Sequence, residues 1–314
     1  MSFAVAIVGC GLVGRAWAIA FARAGTDVRL FDATPGAASA AKERIAPLLE
    51  DMVEAGLIEA TGPVLERLTA KDTLEEALEA VAWVQESVPE DLELKKKVWS
   101  ELDEKAPPLT ILSSSTSAIV PSLFTEHLKR RGRCLVAHPL NPPYLIPAVE
   151  LVPAPWTAKD TMARAFRVMT AIGMAPIVMD KELDGFVMNR LQGALLEEAF
   201  RLVEGGYCTA EDVDRGLKHG LALRWSFMGP FETIDLNAPS GVRDYCERYQ
   251  HIYENLFPSM QHRADWTGPV LDKIEAERRR MVPADKLDER QRWRDQQLMA
   301  LAAHKKNARE KIGD

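Results

Sequence analysis

Residues 3–32 read FAVAIVGCGLVGRAWAIAFARAGTDVRLFD, and this stretch decides the fold of the chain. An apolar run predicts a buried strand over residues 3–8, and helix-forming residues follow a glycine-rich turn as far as Gly25. A second apolar run predicts another strand, which ends on Asp32. A strand, the motif G-x-G-x-x-G, a helix, a second strand and an acid therefore occur in the order that a dinucleotide-binding unit requires.

The glycines of this motif have different predicted roles. Gly9 permits a tight turn, Gly11 lets the backbone approach a pyrophosphate, and Gly14 lets the helix pack closely on the strand. The amino-terminal end of the helix supplies positive partial charge for the pyrophosphate. The cofactor contacts predicted here are therefore Gly9, Gly11, Leu12, Val13 and Gly14.

Asp32 decides which dinucleotide is expected. It lies about 20 residues beyond the glycine motif, where a carboxylate accepts hydrogen bonds from the adenosine ribose hydroxyls. Its charge would repel a 2′-phosphate. The sequence therefore predicts NAD rather than NADP as the cofactor.

Strands and helices alternate through the first half of the chain, which predicts an α/β fold. We expect a Rossmann-type, mostly parallel sheet with helices on both faces, and one long helix over residues 36–60. From Asp184 and Gly185, which are expected to open a helix, only helical patterning with loops follows. The predicted domains are an NAD-binding domain over residues 1–184 and an all-helical C-terminal domain over residues 185–314.

Composition excludes several classes of protein. The net charge of −7 argues against a nucleic-acid or anionic-membrane partner. No apolar run approaches the roughly 18 residues of a membrane span, and no signal-type segment opens the chain. The four cysteines are scattered and form no CxxC pair or metal-ligand cluster, so we expect reduced thiols, no metal and a cytoplasmic location: Cys10, Cys134, Cys208 and Cys246.

Residues 134–153, CLVAHPLNPPYLIPAVELVP, carry the first catalytic candidates. His138 lies where an apolar strand ends, and Glu150 interrupts the next apolar run. A charge in a buried strand needs a partner, and His138 is the nearest titratable candidate. A carboxylate that fixes one imidazole nitrogen leaves the other free to act as a general base. The alternative is a core histidine and a glutamate that is paired elsewhere.

Ser117 and Asn189 are candidate donors to the reacting oxygen. Ser117 ends the hydroxyl-rich run TILSSSTS, and Asn189 lies early in a mostly apolar helix, where asparagine is a poor helix former. For Ser117, capping of a strand end is an equal alternative. Beside an NAD site, His138 and Glu150 indicate hydride transfer coupled to removal of a hydroxyl proton.

Several longer motifs resemble a known family from end to end. They are VGCGLVGRAWA, QESVPEDLELKKK, ILSSSTS, AHPLNPPYLIPAVELVP, GFVMNRLQ, RWSFMGPFETIDLNA and RRRMVPADKLDERQRWRDQQLMALA. The chain resembles the 3-hydroxyacyl-CoA dehydrogenase superfamily, and most closely its lambda-crystallin and L-gulonate 3-dehydrogenase branch. The resemblance implies a helical domain that forms a homodimer, and it implies four catalytic residues: Ser117, His138, Glu150 and Asn189.

The resemblance also implies contacts with the ligands. Glu90 and Lys95 fall on the family's cofactor-ribose contacts, and Ser117 is a further candidate at the cofactor. The predicted substrate-binding residues are Ser117, Asn141, Asn189 and Arg224. Arg224 lies in a largely apolar segment, where a guanidinium suits the carboxylate of a small acid, although an inter-helix or inter-subunit salt bridge is an equal alternative.

Two classes of function stay open at this point. The first is an NAD-dependent dehydrogenase that acts on a 3-hydroxy acid such as L-gulonate, with 3-hydroxybutyryl-CoA and carnitine as alternative substrates. Acyl-CoA enzymes of the family usually carry aromatic residues after the catalytic histidine, where this chain has Pro139 and Leu140, so a small hydroxy acid is favoured. The second class is a structural or NADH-binding protein, as in the lens.

Overall fold

The structure, a computed structural model, describes residues 3–313, and an eight-stranded sheet is the main feature of its first part. The strand order is β3-β2-β1-β4-β5-β6-β7-β8, and the only antiparallel pair in this sheet is β6 with β7. The predicted mostly parallel Rossmann-type sheet is therefore confirmed. Its strands are β1 (Ala4–Val8), β2 (Asp27–Phe31), β3 (Leu68–Ala70), β4 (Val81–Glu86), β5 (Ile111–Ser114), β6 (Cys134–Pro139), β7 (Ala148–Pro153) and β8 (Ala175–Val178).

Helices connect the strands and then make up the later part of the chain. Those among the strands are α1 (Leu12–Arg23), α2 (Ala37–Glu54), α3 (Gly62–Glu66), α4 (Leu74–Leu78), α5 (Leu92–Lys105), α6 (Ser122–Thr125) and α7 (Lys159–Ala171). Those after the last strand are α8 (Met188–Glu204), α9 (Ala210–Gly216), α10 (Ala222–Trp225), α11 (Pro230–Leu236), α12 (Val242–Leu256), α13 (Pro269–Met281) and α14 (Leu287–Ile312). No helix in the described part of the chain is long and apolar enough to cross a membrane.

The sheet is buried on both faces, as strand β1 illustrates. Val5 and Ile7 belong to one cluster of buried side chains, and Ala6 and Val8 belong to another. Successive side chains of a strand point to opposite faces, so an apolar run without polar positions requires cover on both sides. Helix α1 supplies part of that cover through a continuous buried run from Ala16 to Ala22.

The chain divides into two compact units. One extends as far as Asn189 and also includes the residues from Gln291 onward, and the other comprises residues 190–290. The predicted domains instead put all of residues 185–314 in the helical part. The contacts group the end of α14 with the sheet because Met299 packs in the same apolar cluster as β1 and α1. The boundary at residue 184 stays a prediction.

Two predicted helices differ from those in the structure. The helix expected over residues 36–60 ends at Glu54. The helix expected from Asp184 and Gly185 begins at Met188, because Gly185 and Phe186 adopt positive φ values of 75° and 50°, which are incompatible with a right-handed helix.

A buried ion pair joins β4 to α5. The Lys95 ammonium lies 3.1 Å from Glu86 Oε1, and the two side chains are 1% and 0% exposed. Glu86 also accepts hydrogen bonds from Ser114 Oγ, Trp99 Nε1 and Val88 N. Ionised groups are tolerated in a core only when they are paired and fully hydrogen-bonded, so each partner depends on the other.

We predict that Lys95→Met destabilises the fold by about 3–5 kcal/mol, because the change leaves Glu86 buried without its counter-charge. Lys96→Met is the matched control, since Lys96 forms an exposed pair with Glu93 and its loss should cost less than about 1 kcal/mol. The free energy of unfolding is measured by urea denaturation. Equal stability of the two variants would show that the buried pair does not hold α5 on β4.

Candidate active site

The glycine motif forms a close turn between β1 and α1. Gly9 has a φ of +95°, and a Cβ there would lie 2.6 Å from the carbonyl oxygen of Ser87. A Cβ on Gly14 would overlap the carbonyl oxygen of Gly9. A Cβ on Gly11 would have no neighbour within 4 Å. Gly9 and Gly14 are thus required by the protein itself, whereas the space over Gly11 is open to a ligand.

Asp32, which follows β2, stabilises this turn through hydrogen bonds. Its Oδ2 accepts a hydrogen bond of 2.8 Å from Cys10 N, and its Oδ1 accepts one of 2.9 Å from Thr34 N. The carboxylate is half-buried, and each oxygen retains a lone pair for a further donor. The open space over Gly11, the amino terminus of α1 and Asp32 together fit a dinucleotide with free ribose hydroxyls. The predicted cofactor residues Leu12 and Val13 occupy the first turn of α1.

Glu90 holds the segment that carries Ser117. Its Oε1 accepts hydrogen bonds from Thr116 Oγ1, Ser117 N and Ala118 N, and its Oε2 lies 3.5 Å from the Lys95 ammonium. Burial pushes the pKa of Glu90 up, but the hydrogen bonds and the charge of Lys95 outweigh burial and lower it. Glu90 is 39% exposed, whereas Lys95 is 1% exposed, so of these two predicted ribose contacts Glu90 is the one at the surface.

His138 and Glu150 lie directly opposite each other in the antiparallel pair of β6 and β7. His138 Nδ1 is 2.6 Å from Glu150 Oε2, and the other carboxylate oxygen accepts hydrogen bonds from Val187 N at 2.6 Å and Met188 N at 2.9 Å. Glu150 is fully buried and His138 is 6% exposed. The contact with Glu150 assigns the proton of a neutral imidazole to Nδ1, which leaves Nε2 unprotonated.

The environment keeps Glu150 ionised. Burial raises its pKa, but the hydrogen bond with His138 and the two backbone amides act in the opposite direction, and their sum lowers the pKa below its ordinary value. A carboxylate in this state can stabilise a positive charge on the imidazole. The arrangement can therefore accept a proton at Nε2 of His138 and hold it there.

Asn189 joins the same group of residues at the start of α8. Its side-chain amide donates a hydrogen bond of 2.7 Å to the carbonyl oxygen of Ser117. The Ser117 hydroxyl forms no hydrogen bond with any described residue, and Ser117 is exposed. The structure thus brings Ser117 and Asn189 into contact, and it holds Ser117 from two sides, through Glu90 and through Asn189.

The two remaining candidates are placed as follows. Asn141 is exposed in the loop after β6, where it precedes a cis peptide bond to Pro142. Arg224 lies on α10 in the unit of residues 190–290, is exposed, and forms no ion pair with any described residue. Neither residue is hydrogen-bonded through its side chain to the His138 and Glu150 pair, and their roles stay predictions.

Four residues that sequence reasoning did not find contribute to the site. Val187 and Met188 act through their backbone amides, which no side-chain pattern reveals. Phe186 packs its ring against the His138 imidazole, with ring centroids 5.5 Å apart. Glu86 anchors Lys95 beneath Glu90, and its position within an apolar strand was the signal that could have identified it.

Comparison with known proteins gives the family. Residues 4–183 match the NAD binding domain of 3-hydroxyacyl-CoA dehydrogenase, and residues 185–273 match the C-terminal domain of the same enzyme. The chain belongs to the 3-hydroxyacyl-CoA dehydrogenase family. As a member of this family it is an NAD-dependent oxidoreductase, which confirms the predicted cofactor and class of enzyme.

Two relatives and one solved structure illustrate the range of the 3-hydroxyacyl-CoA dehydrogenase family. Lambda-crystallin of Oryctolagus cuniculus is 40% identical over 307 residues, which is 96% of each chain, so the predicted branch is confirmed. L-carnitine dehydrogenase of Oceanobacillus iheyensis is 40% identical over 246 residues, 78% of this chain and 80% of that protein. The structure of an NAD-dependent dismutase, 5-formyl-3-hydroxy-2-methylpyridine 4-carboxylic acid 5-dehydrogenase, superimposes with a TM-score of 0.81 at 28% identity and covers 96% of this chain and 97% of its own.

Two glycine substitutions separate cofactor contact from folding. Gly11→Ala should leave the fold intact, since the new Cβ meets no protein atom, but should weaken NADH binding by about tenfold or more, equivalent to about 1.4 kcal/mol. Gly14→Ala should instead cost about 1–3 kcal/mol of stability or more, because its Cβ overlaps the Gly9 carbonyl. Melting temperature and NADH titration by fluorescence check both. Unchanged NADH affinity in Gly11→Ala would contradict the assignment of the open space to the cofactor.

Proposed function

We propose that the protein oxidises the 3-hydroxyl group of a small hydroxy acid, L-gulonate or a close analogue, to the 3-keto acid. The observation that carries this proposal is the buried hydrogen bond between His138 and Glu150 at the end of β6. NAD, when bound, supplies the acceptor for the hydride that leaves the carbinol carbon. A residue of this chain then has to accept the proton of the hydroxyl group.

His138 is proposed as the general base. Its Nδ1 is committed to Glu150, and Nε2 has no partner among the described residues, so Nε2 is the nitrogen that takes the hydroxyl proton. Glu150 holds the imidazole in the tautomer that can accept this proton. The carboxylate also stabilises the imidazolium that forms, because it stays ionised at neutral pH.

Ser117 and Asn189 are proposed to position the reacting oxygen. The exposed hydroxyl of Ser117 can donate to the oxygen while it becomes a ketone, and the backbone on which it sits is held by Glu90. Asn189 uses one amide proton on the Ser117 carbonyl oxygen and retains a second for the substrate. Neither group ionises at neutral pH, so both act through orientation.

The substrate class is proposed from the chain around His138. Pro139 and Leu140 replace the aromatic residues that acyl-CoA enzymes of the family usually carry there, and lambda-crystallin is similar over 96% of the chain. L-carnitine is the second candidate, because L-carnitine dehydrogenase is also 40% identical. Both candidates are free carboxylates with a hydroxyl at carbon 3. The proposed recognition group for that carboxylate is Arg224.

A homodimer formed by the helical unit is part of the proposal. Phe227, Phe231 and Leu236 are 70%, 79% and 67% exposed in the single chain. Further exposed aromatic residues occur on α12 in the same unit: Tyr249 and Tyr253. Many large apolar side chains on one helical unit are expected where it forms a protein interface.

With NAD and L-gulonate, the wild-type protein should produce the NADH absorbance band, and His138→Ala should lower kcat by about 10²–10⁴-fold, the usual contribution of a general base. Glu150→Gln should lower kcat similarly while NADH affinity stays near the wild-type value, because neither residue lies in the glycine motif. His127→Ala, at an exposed histidine paired with Ser100, is the control and should keep full activity. A loss of less than about tenfold at His138 would remove it from this role.

We predict that Arg224→Met raises KM for L-gulonate or L-carnitine at least about tenfold, since one lost charge-assisted bidentate contact is worth roughly 1.5–3 kcal/mol. A 3-hydroxybutyryl-CoA thioester, which lacks the free carboxylate, should be affected much less. Arg215→Met, at an exposed arginine paired with Glu211 and Asp212, is the control and should leave KM unchanged. If sedimentation velocity instead shows that Arg224→Met only dissociates the dimer, Arg224 is an interface residue.

A further inference from the structure

The chain makes an unusual turn just before α8. Gly185 and Phe186 both have positive φ values, 75° and 50°, and the Phe186 amide closes the turn on the carbonyl oxygen of Leu183 at 2.9 Å. For a residue with a side chain this left-handed conformation costs about 1–2 kcal/mol. Glycine would avoid that cost at position 186, so the presence of phenylalanine there requires a compensating role for its side chain.

The backbone of the turn has a direct consequence for Glu150. The next two amides, Val187 N and Met188 N, both donate to Glu150 Oε1, at 2.6 Å and 2.9 Å. In a regular helix that began at Gly185, the amide of Met188 would donate to the carbonyl oxygen four residues earlier and would not be available to Glu150. The left-handed residue delays the helix to Met188, so that both amides stay available to one carboxylate oxygen.

The side chain of Phe186 contacts the other member of the pair. Its ring is 0% exposed and lies against the His138 imidazole at a centroid distance of 5.5 Å and an interplanar angle of 53°. A single hydrogen bond leaves the imidazole some freedom of rotation about its side-chain torsions. The buried ring of Phe186 beside the imidazole limits that freedom.

We propose that Phe186 is a positioning residue for the His138 and Glu150 pair: its left-handed backbone aims two amides at Glu150, and its ring fixes the plane of the imidazole. The inference rests on the proposed function of His138. It assigns the orientation of the general base to one residue that has a left-handed backbone and a fully buried ring.

The competing explanation is that Phe186 merely fills the apolar core, and the chain offers a matched control for it. Phe124 is also 0% exposed and belongs to the same cluster of buried side chains as Phe186. Its ring packs against Trp99 rather than His138, with centroids 4.8 Å apart. A loss of core packing alone should therefore affect substitutions at positions 186 and 124 in the same way.

The experiment compares Phe186→Leu with Phe124→Leu in the full chain. Both changes keep an apolar side chain of similar volume and should lower stability by about 1–2 kcal/mol. We expect kcat to fall roughly 10–100-fold in Phe186→Leu alone, because a small misplacement of a catalytic group has an effect of this size. NADH affinity and KM should stay within about twofold of wild type, and the primary deuterium isotope effect on kcat should rise as the chemical step becomes slower.

Phe186→Val tests the backbone part of the proposal, since a β-branched residue resists the left-handed conformation more than leucine does. It should lower kcat below the value of Phe186→Leu, whereas Phe124→Val should not. If Phe186→Val does not fold, the comparison of Phe186→Leu with Phe124→Leu still tests the proposal.

Full activity in Phe186→Leu, or equal losses at positions 186 and 124, would overturn the proposal. If His138→Ala keeps the turnover of the wild type, the proposed function itself is overturned. The two failures are therefore distinguishable.

Discussion

A carboxylate with no access to solvent, that of Glu150, is the constraint on which the active-site end of the sheet depends. In the apolar interior such a group is stable only if donors surround it, and here three donors do so: His138 Nδ1 and the amides of Val187 and Met188. These donors come from two segments. The antiparallel orientation of β7 places Glu150 opposite His138, and the turn before α8 brings the two amides to it. The same contacts that make burial of the charge tolerable therefore also orient the imidazole.

A second buried carboxylate, that of Glu86, is stabilised by surrounding donors in the same way. Glu86 is surrounded by Lys95, Trp99, Ser114 and the Val88 amide, and Lys95 in turn lies 3.5 Å from Glu90. Both networks reach one segment, the one that carries Ser117. Glu90 accepts from its amide, and Asn189 from the start of α8 donates to its carbonyl oxygen. The hydroxyl of Ser117 is left unpaired among the described residues, but the backbone beneath it is held from both sides.

The sequence predicts the roles of side chains in this site but not the roles of backbone groups. The glycine motif, Asp32 and the mostly parallel sheet could be predicted because each follows from local residue types and their spacing. The contact between His138 and Glu150 was expected because a charge inside an apolar strand requires a partner nearby. The amides of Val187 and Met188 could not be foreseen, since any residue carries an amide and only the turn at Phe186 makes them converge. Phenylalanine at positive φ runs against its own preference, which is why the helix was expected to begin too early.

The residues proposed for proton transfer are buried, whereas two of the residues proposed for substrate binding are exposed. The groups that orient His138 are buried and consist of a carboxylate, two amides and one aromatic ring. The candidates for substrate contact, Asn141 and Arg224, are exposed and share no hydrogen bond with the buried group. Under the proposed assignment, a change in the exposed set would alter which acid is held and leave the base in place. A change in the buried set would alter proton transfer for every substrate. Relatives that share the buried arrangement can therefore differ in substrate, and for this reason the substrate of this chain has to be inferred from the exposed positions.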